Sequence, residues 1–461
     1  MAILIPSTVA RGSQRSAVLR LGIPAVGEQL LTLMVGLVDT YVVGHLSIGV
    51  AAQMGYTREI ALASVGIAGQ ITWTLMTLFM AVALGCTVVV ARFIGAGERD
   101  LANRALRQAL LIGLAMGALG LFAAYTFAPQ LMSILGASAD VKHNGAGYLR
   151  ISTLAFPLTA LLFIGNAALR GSGDTRTPLL VMLVVNAINA VLSSLLVNGN
   201  LGLPALGING AAIGAGIGQS VGGLIIIAML IRGRSGLRVS QFPRPERALM
   251  WRILRQGLPF GAEQFVFQGA LLIFVRFING IGTTAYAAHA TIITIESISF
   301  LPGMGIAVAA TTLVSQSMGA NKPDRAAETG YESYRIGASL MACFGVLFIV
   351  MPEVFLRFFV ADEAIVQAAV TPLRMVGFAQ PALAANFIFS GSLRGGGDPK
   401  WPLFSKIFSV WGVRLPLAWL FVYQLGWGLN GIWLAMCTDF VVQGSLVWWR
   451  FHQGKWRAMR V

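Results

Sequence analysis

Charge is what this sequence has least of. Only 11% of its 461 residues are Asp, Glu, Lys or Arg, against roughly 25% in soluble domains, and that scarcity excludes a water-soluble globule. Acids are rarer than bases, 18 against 33. Three cysteines, Cys86, Cys343 and Cys437, fall inside apolar segments without paired spacing. That excludes a disulfide framework or a thiolate zinc site, and they read as small apolar packing residues. The four histidines, at 45, 143, 289 and 452, are scattered, with His45 and His143 expected in extracellular loops. No Walker loop, nucleophile elbow or metal-ligand spacing appears, so the chain offers no clustered catalytic set and does not read as an enzyme.

What is abundant is apolar surface: 56% of the residues are hydrophobic, in long runs of about the 20 residues a helix needs to cross a ~30 Å hydrocarbon layer. Twelve spans can be drawn, at 18–45, 61–91, 108–130, 149–169, 177–198, 206–231, 253–278, 284–317, 335–358, 369–393, 401–423 and 427–449. The expected fold is an all-α integral membrane protein. The stretch "MAILIPSTVARGSQRS" has too short an apolar run for a signal-peptide core, so the first span is expected to stay as an uncleaved anchor.

A net charge of +15 raises nucleic acid as a partner, and the placement of the bases argues against it. They sit before span 1 (Arg11, Arg15, Arg20), around the connection from span 2 to 3 (Arg92, Arg99, Arg104, Arg107) and after span 4 (Arg170, Arg176). Others run from Arg232 to Arg255, from Lys322 to Arg335, through Arg394, Lys400 and Lys406, and from Arg450 to Arg460. All of these share one side of the membrane. The positive-inside rule puts both termini and every even-numbered connection in the cytoplasm of a bacterial inner (plasma) membrane.

The chain is also written twice. "LRGSGDTRTPL" (169–179) returns as "LRGGGDPKWPL" (393–403), "GAGERDLANRA" (95–105) as "GANKPDRAAET" (319–329) and "RLGIPAVGEQ" (20–29) as "RQGLPFGAEQ" (255–264), with a looser echo of "INGAA" (208–212) in "LNGIW" (429–433). Each half holds six spans, an even number, so the halves are parallel repeats. The expected organisation is an N-terminal six-helix lobe over 1–231, a cytoplasmic linker over 232–252 and a C-terminal six-helix lobe over 253–461, the two bundles enclosing a central cleft. No filter-like loop or charged ring suggests a static pore. The "LRGxGD" stretches read as tight turns, glycine supplying positive φ and Asp174 and Asp398 capping the next helix.

Together, "LVDTYVVGHLS", "GNAALRGSGDTRTPL", "LRGGGDPKWPL", "GLPFGAEQ" and "ESISFLPGMGIAVAATTLVSQSMGA" resemble the multidrug and toxic compound extrusion family, in its DinF-like branch, across essentially the whole chain. The resemblance implies export of organic cations and amphipathic compounds in exchange for H⁺ or Na⁺, with no other cofactor. It further implies that Asp39 is the acidic cation or proton site of the first span, with Asn166 and Asn189 lining the same N-lobe region. Some relatives carry an aspartate one turn after that second asparagine; Ser193 stands there, and near Ala215 a family hydroxyl is replaced. Span 10 lacks the acid of the NorM-like branch, and Glu263 lies about one turn too early in span 7 to stand for its partner.

Read on their own, Glu28 and Asp39 are costly in lipid and mark a functional stripe. Eleven residues apart, they fall about 20° from whole turns and roughly 16 Å apart along the axis, with Gln29, Thr32 and Gly36 near the same face. Glu28 has a repeat mate in Glu263, each followed by Gln (Gln29, Gln264), and these four with Thr32 are candidates for a cleft or gate. Arg414 needs a buried partner, either Glu296 or Asp439, and the three form a candidate buried charge network. The methionines and aromatics could supply an adaptable lining, with none singled out. The expected function is a monomeric alternating-access antiporter, handling small organic cations or amphipathic drugs, driven by H⁺ rather than Na⁺ with Asp39 as the switchable charge. The alternative is a lipid-linked oligosaccharide flippase of related double-bundle build, which would want a cationic cleft.

Overall fold

The computed structural model describes residues 14–240 and 244–459; the bases Arg11 and Arg460 of the charge tally lie outside them. Among the described residues the chain is helical, with no strand longer than the isolated bridge between Arg234 and Leu237. The helices are α1 (Gln14–Gly44), α2 (Ile48–Gln53), α3 (Arg58–Gly95), α4 (Arg99–Ile134), α5 (Ala139–Thr153), α6 (Phe156–Gly171), α7 (Arg176–Asn198) and α8 (Ile208–Arg232). There follow α9 (Arg247–Ile281), α10 (Thr283–Gly319), α11 (Pro323–Val350), α12 (Pro352–Phe359), α13 (Glu363–Gly396), α14 (Lys400–Ser409), α15 (Leu415–Trp419) and α16 (Gly428–His452).

Among the described residues ten helical segments are long and apolar enough to cross a membrane, and α5 with α6, bent by 53° at a short break, make an eleventh. The twelfth expected span is α13, 34 residues long; Arg374, Gln380, Asn386 and two prolines lower its apolarity. Local sequence sets the ends. Ser47 caps α2 by accepting from Val50 N–H at 3.2 Å, Asp362 caps α13 through Ala364 N–H at 2.9 Å, and Gly199, at φ +71°, closes α7 in the left-handed region. Pro24, Pro259 and Pro302 lie inside α1, α9 and α10, where lipid-embedded helices tolerate proline better than soluble ones.

The chain divides into two compact units. One takes Gly27–Ile94 and Glu98–Gly257; the other takes the residues up to Val26, Gly95–Gly97 and those from Leu258 on. In the first, helix α8 carries glycine at every fourth position, Gly210, Gly214, Gly218 and Gly222. A Cβ at Gly210 would come within 2.6 Å of Leu196 C, one at Gly214 would press on Ser193 Oγ, and those at Gly218 and Gly222 would come within 2.8 Å of Val185 O and 2.5 Å of Val185 Cγ2. This stripe lets α7 lie directly on α8, the small-residue packing that replaces hydrophobic driving force in lipid. In the second unit, the start of α1 packs Ala17, Val18 and Leu21 against Ile306, Ala309, Ala310 and Leu313 of α10.

The repeat in the sequence is a repeat of contacts. Thr87 Oγ1 donates to the Ala167 carbonyl at 3.0 Å in one unit, and Thr311 Oγ1 to the Gly391 carbonyl at 3.0 Å in the other. Gly171 and Gly395 sit against the carbonyls of those same threonines, where a Cβ on either would be too close to fit.

Candidate coupling site

Asp39 lies in the last third of α1 and is only 6% exposed. From α7, Asn189 Nδ2 donates to Asp39 Oδ1 at 2.9 Å and stands 3.3 Å from Ser193 Oγ, one turn on. Ser193 Oγ in turn lies 3.5 Å from the Ala211 carbonyl of α8. The hydroxyls of Ser193 and of Tyr148, on α5, also hydrogen-bond to Asp39. Neighbouring helices thus converge on one carboxylate, and every side chain that bonds it is neutral. Among the described residues no lysine or arginine pairs with it. Tyr148 was invisible in the sequence reading: it precedes span 4 and lies in no motif.

Asn166 is buried on α6, but the structure does not join it to Asp39, and its Oδ1 has no partner. Asn186, about one turn before Asn189 on α7, spends its Nδ2 on the carbonyls of Leu31 (2.8 Å) and Met182 (2.9 Å). It thereby ties α7 to α1 a short way along from the Asp39 contact.

Glu28 does not reach Asp39. It forms a buried ion pair with Arg170, the arginine of "LRGSGD". Its repeat mate Glu263 does the same with Arg394 of "LRGGGD", at 2.5 Å, and the Arg394 guanidinium lies 5.0 Å from the Phe260 ring. Thr32 spends its hydroxyl on the Glu28 carbonyl at 2.8 Å, while Gln29 and Gln264 are half-buried. The aspartates of the two motifs are paired as well: Asp174 with Arg234 at 3.3 Å and Asp398 with Arg450 at 2.8 Å, each arginine lying in or just beyond the last helix of its half. The turn reading of these motifs matches Gly173 and Gly397, at φ +92° and +95°. Asp174 caps α7 through Thr177 N–H at 2.9 Å. Burial pulls the Asp174 carboxyl up, but hydrogen bonds from Ser235 and Thr177 and the charge of Arg234 outweigh it and hold it below its ordinary range.

Of the buried charge network, Arg414 binds Asp439 through Nε (2.9 Å) and Nη2, and Ser409 donates to the same carboxylate. The guanidinium lies 5.7, 5.6 and 5.5 Å from the rings of Phe267, Phe274 and Phe440. Glu296 is brought within reach of the Arg414 charge but forms no ion pair with it. Arg414 ends a π-helical turn, Val410–Arg414, in which Leu415 N–H bonds the Val410 carbonyl five residues back. Pro416 follows and has no N–H for the Gly412 carbonyl, so a wider turn here absorbs the defect.

The "MatE" family model matches residues 24–195 and 259–420. The "Probable multidrug resistance protein NorM" of Thermotoga maritima is 29% identical over 449 residues, covering 97% of this chain and 94% of that protein. The "Uncharacterized transporter YisQ" of Bacillus subtilis is 27% identical over 403 residues, covering 86% and 87%. A solved structure described as "Crystal structure of MATE in the bent conformation" superposes with a TM-score of 0.87 at 20% identity, over 96% of this chain and 97% of that one. That likeness carries the twelve-helix fold.

Proposed function

The chain belongs to the MatE family, as a multi-pass membrane transporter and not an enzyme, and we propose that it exports organic cations and amphipathic drugs by proton-coupled antiport. The single observation behind this reading is Asp39: a buried carboxylate held by Asn189, Ser193 and Tyr148, with no fixed cation to neutralise it among the described residues. Such a group is satisfied in either of two ways, by a proton or by a visiting cation, and the two cannot be present at once. Competition between them is what antiport requires.

Proton coupling fits the donors better than sodium does. A hard cation wants several oxygens turned toward it, yet Asn189 offers Asp39 its amide nitrogen, and its Oδ1 is directed elsewhere without a partner. In this reading the lobes of 1–231 and 253–461, joined through 232–252, alternate access across a bacterial inner membrane. Both termini and the basic connections face the cytoplasm, and the protein works as a monomer.

The test is uptake of ethidium into inverted vesicles under an imposed pH gradient. Wild type should accumulate the dye, and Asp39→Asn, at equal expression, should not. Normal accumulation by the Asn variant would sink the mechanism, and sodium-driven uptake that survives collapse of the pH gradient would replace the proton.

A further inference from the structure

A second carboxylate, in the other unit, is less well satisfied than Asp39. Glu296 lies near the middle of α10, is 3% exposed, and its Oε1 has no hydrogen-bond partner. On its own helix, Ser299 donates to the Glu296 backbone carbonyl at 2.7 Å and Ser297 to the Thr294 carbonyl at 2.6 Å, neither to the carboxylate. His289, two turns earlier on the same helix, is also buried, with Nδ1 unpartnered. Its ring lies 5.2 Å from Trp433 on α16, whose Nε1 is likewise without a partner, and 6.0 Å from Phe274 on α9.

The segment after α14 presents Arg414, which acts on both Glu296 and His289. Helix α16 presents the Cys437 thiol next to Glu296, and Asp439, which holds Arg414 through two nitrogens. On α14, Lys406 faces Asp439 and Arg414, together with Glu263 of α9 and Arg394 of α13. No charged group of α11 acts on Glu296. One guanidinium, already committed to Asp439, therefore stands beside two buried carboxylates. A permanent second anion with an open oxygen is the arrangement buried ion pairs avoid.

We propose that Glu296 is a second proton-exchange site, in the C-terminal unit, neutral while enclosed and releasing its proton when the unit opens to water. The inference deepens the proton-coupled reading above, but its test does not depend on transport. Purified full-length protein in liposomes is titrated by infrared spectroscopy, following the C=O stretch of protonated carboxylic acids.

Wild type should show two titrating components from buried acids. Glu296→Gln should lose one, Asp39→Asn the other, and the double variant both, while Glu296→Asp keeps two and so controls for folding. A Glu296→Gln spectrum that titrates as wild type would overturn the proposal while leaving Asp39 as the coupling acid. The converse result, Glu296 titrating while Asp39→Asn still exports dye, supports it and removes the Asp39 reading instead.

Discussion

Asp174 shows how much a single turn residue does in this protein. Its carboxylate accepts from Thr177 N–H and Oγ1, Ser235 Oγ and Arg234 Nε at 2.9, 2.8, 2.6 and 3.3 Å. Replacing it with Asn keeps part of the cap and loses the charge, so a loss of about 1 kcal/mol is expected, as for other N-caps. Because its folded pKa is depressed, the contribution is fully present above the ordinary carboxylate value of about 3.9 and fades as pH falls through the lower folded value. Thermal unfolding of Asp174→Asn and wild type in detergent should therefore differ at neutral pH and converge under acid. Glu28 behaves differently, because its partner is enclosed with it. Glu28→Gln leaves Arg170 uncompensated and should cost about 3 kcal/mol, the low end for a broken buried pair since Arg170 keeps some exposure. The double change with Arg170→Gln should cost less than the two single changes added, as read by a double-mutant cycle in the same unfolding assay. In dye export both should be milder than Asp39→Asn.

At the scale of elements, the glycine stripe of α8 decides where Asn189 and Ser193 stand. A methyl group at Gly214 would press on Ser193 Oγ and on Ser193 N at 2.7 Å, and backbone cannot swing aside as a side chain can. Gly214→Ala should push α7 off α8, cost about 1–3 kcal/mol and reduce export by moving the donors of Asp39. Gly216→Ala, whose Cβ would stand at an ordinary 3.6 Å from Ala155 Cβ, should do neither. The stripe was legible in principle, four glycines spaced by four, but periodicity of apolar residues hides it because α8 is apolar all round. Helix positions, the duplicated motifs and the acids of α1 could be read directly, since lipid makes length and charge placement severe constraints. Pairings could not. That Arg170 and Arg394 fold back onto Glu28 and Glu263 depends on how α6 and α13 pack within their units. Arg414 chooses Asp439 over Glu296 from a π-helical turn that no apolar pattern announces.

For the whole molecule, duplication and charge placement make one connected claim. The two halves carry a Glu–Arg pair at matching positions, Glu28–Arg170 and Glu263–Arg394, and in each the motif aspartate pairs with an arginine near the end of the half, Asp174 with Arg234 and Asp398 with Arg450. Parallel halves require an even number of crossings in the first half. An extra or missing span there would put the pairs of the second half on the opposite face from those of the first. Labelling decides this. In a background with Cys86, Cys343 and Cys437 replaced, single cysteines at Arg99, Ser240 and Lys322 should react with a membrane-impermeant maleimide only when the cytoplasmic face is exposed, as in inverted vesicles. Cysteines at Ser138, between α4 and α5, and at Gly426, between α15 and α16, should react only in intact cells. Arg99 and Lys322 lie within one position of each other in the repeated "GAGERD" and "GANKPD" stretches, so they test the duplication as well as the count. Labelling of one from outside and the other from inside would show that the halves are not parallel, and would remove the basis for reading their matching ion pairs as one device used twice.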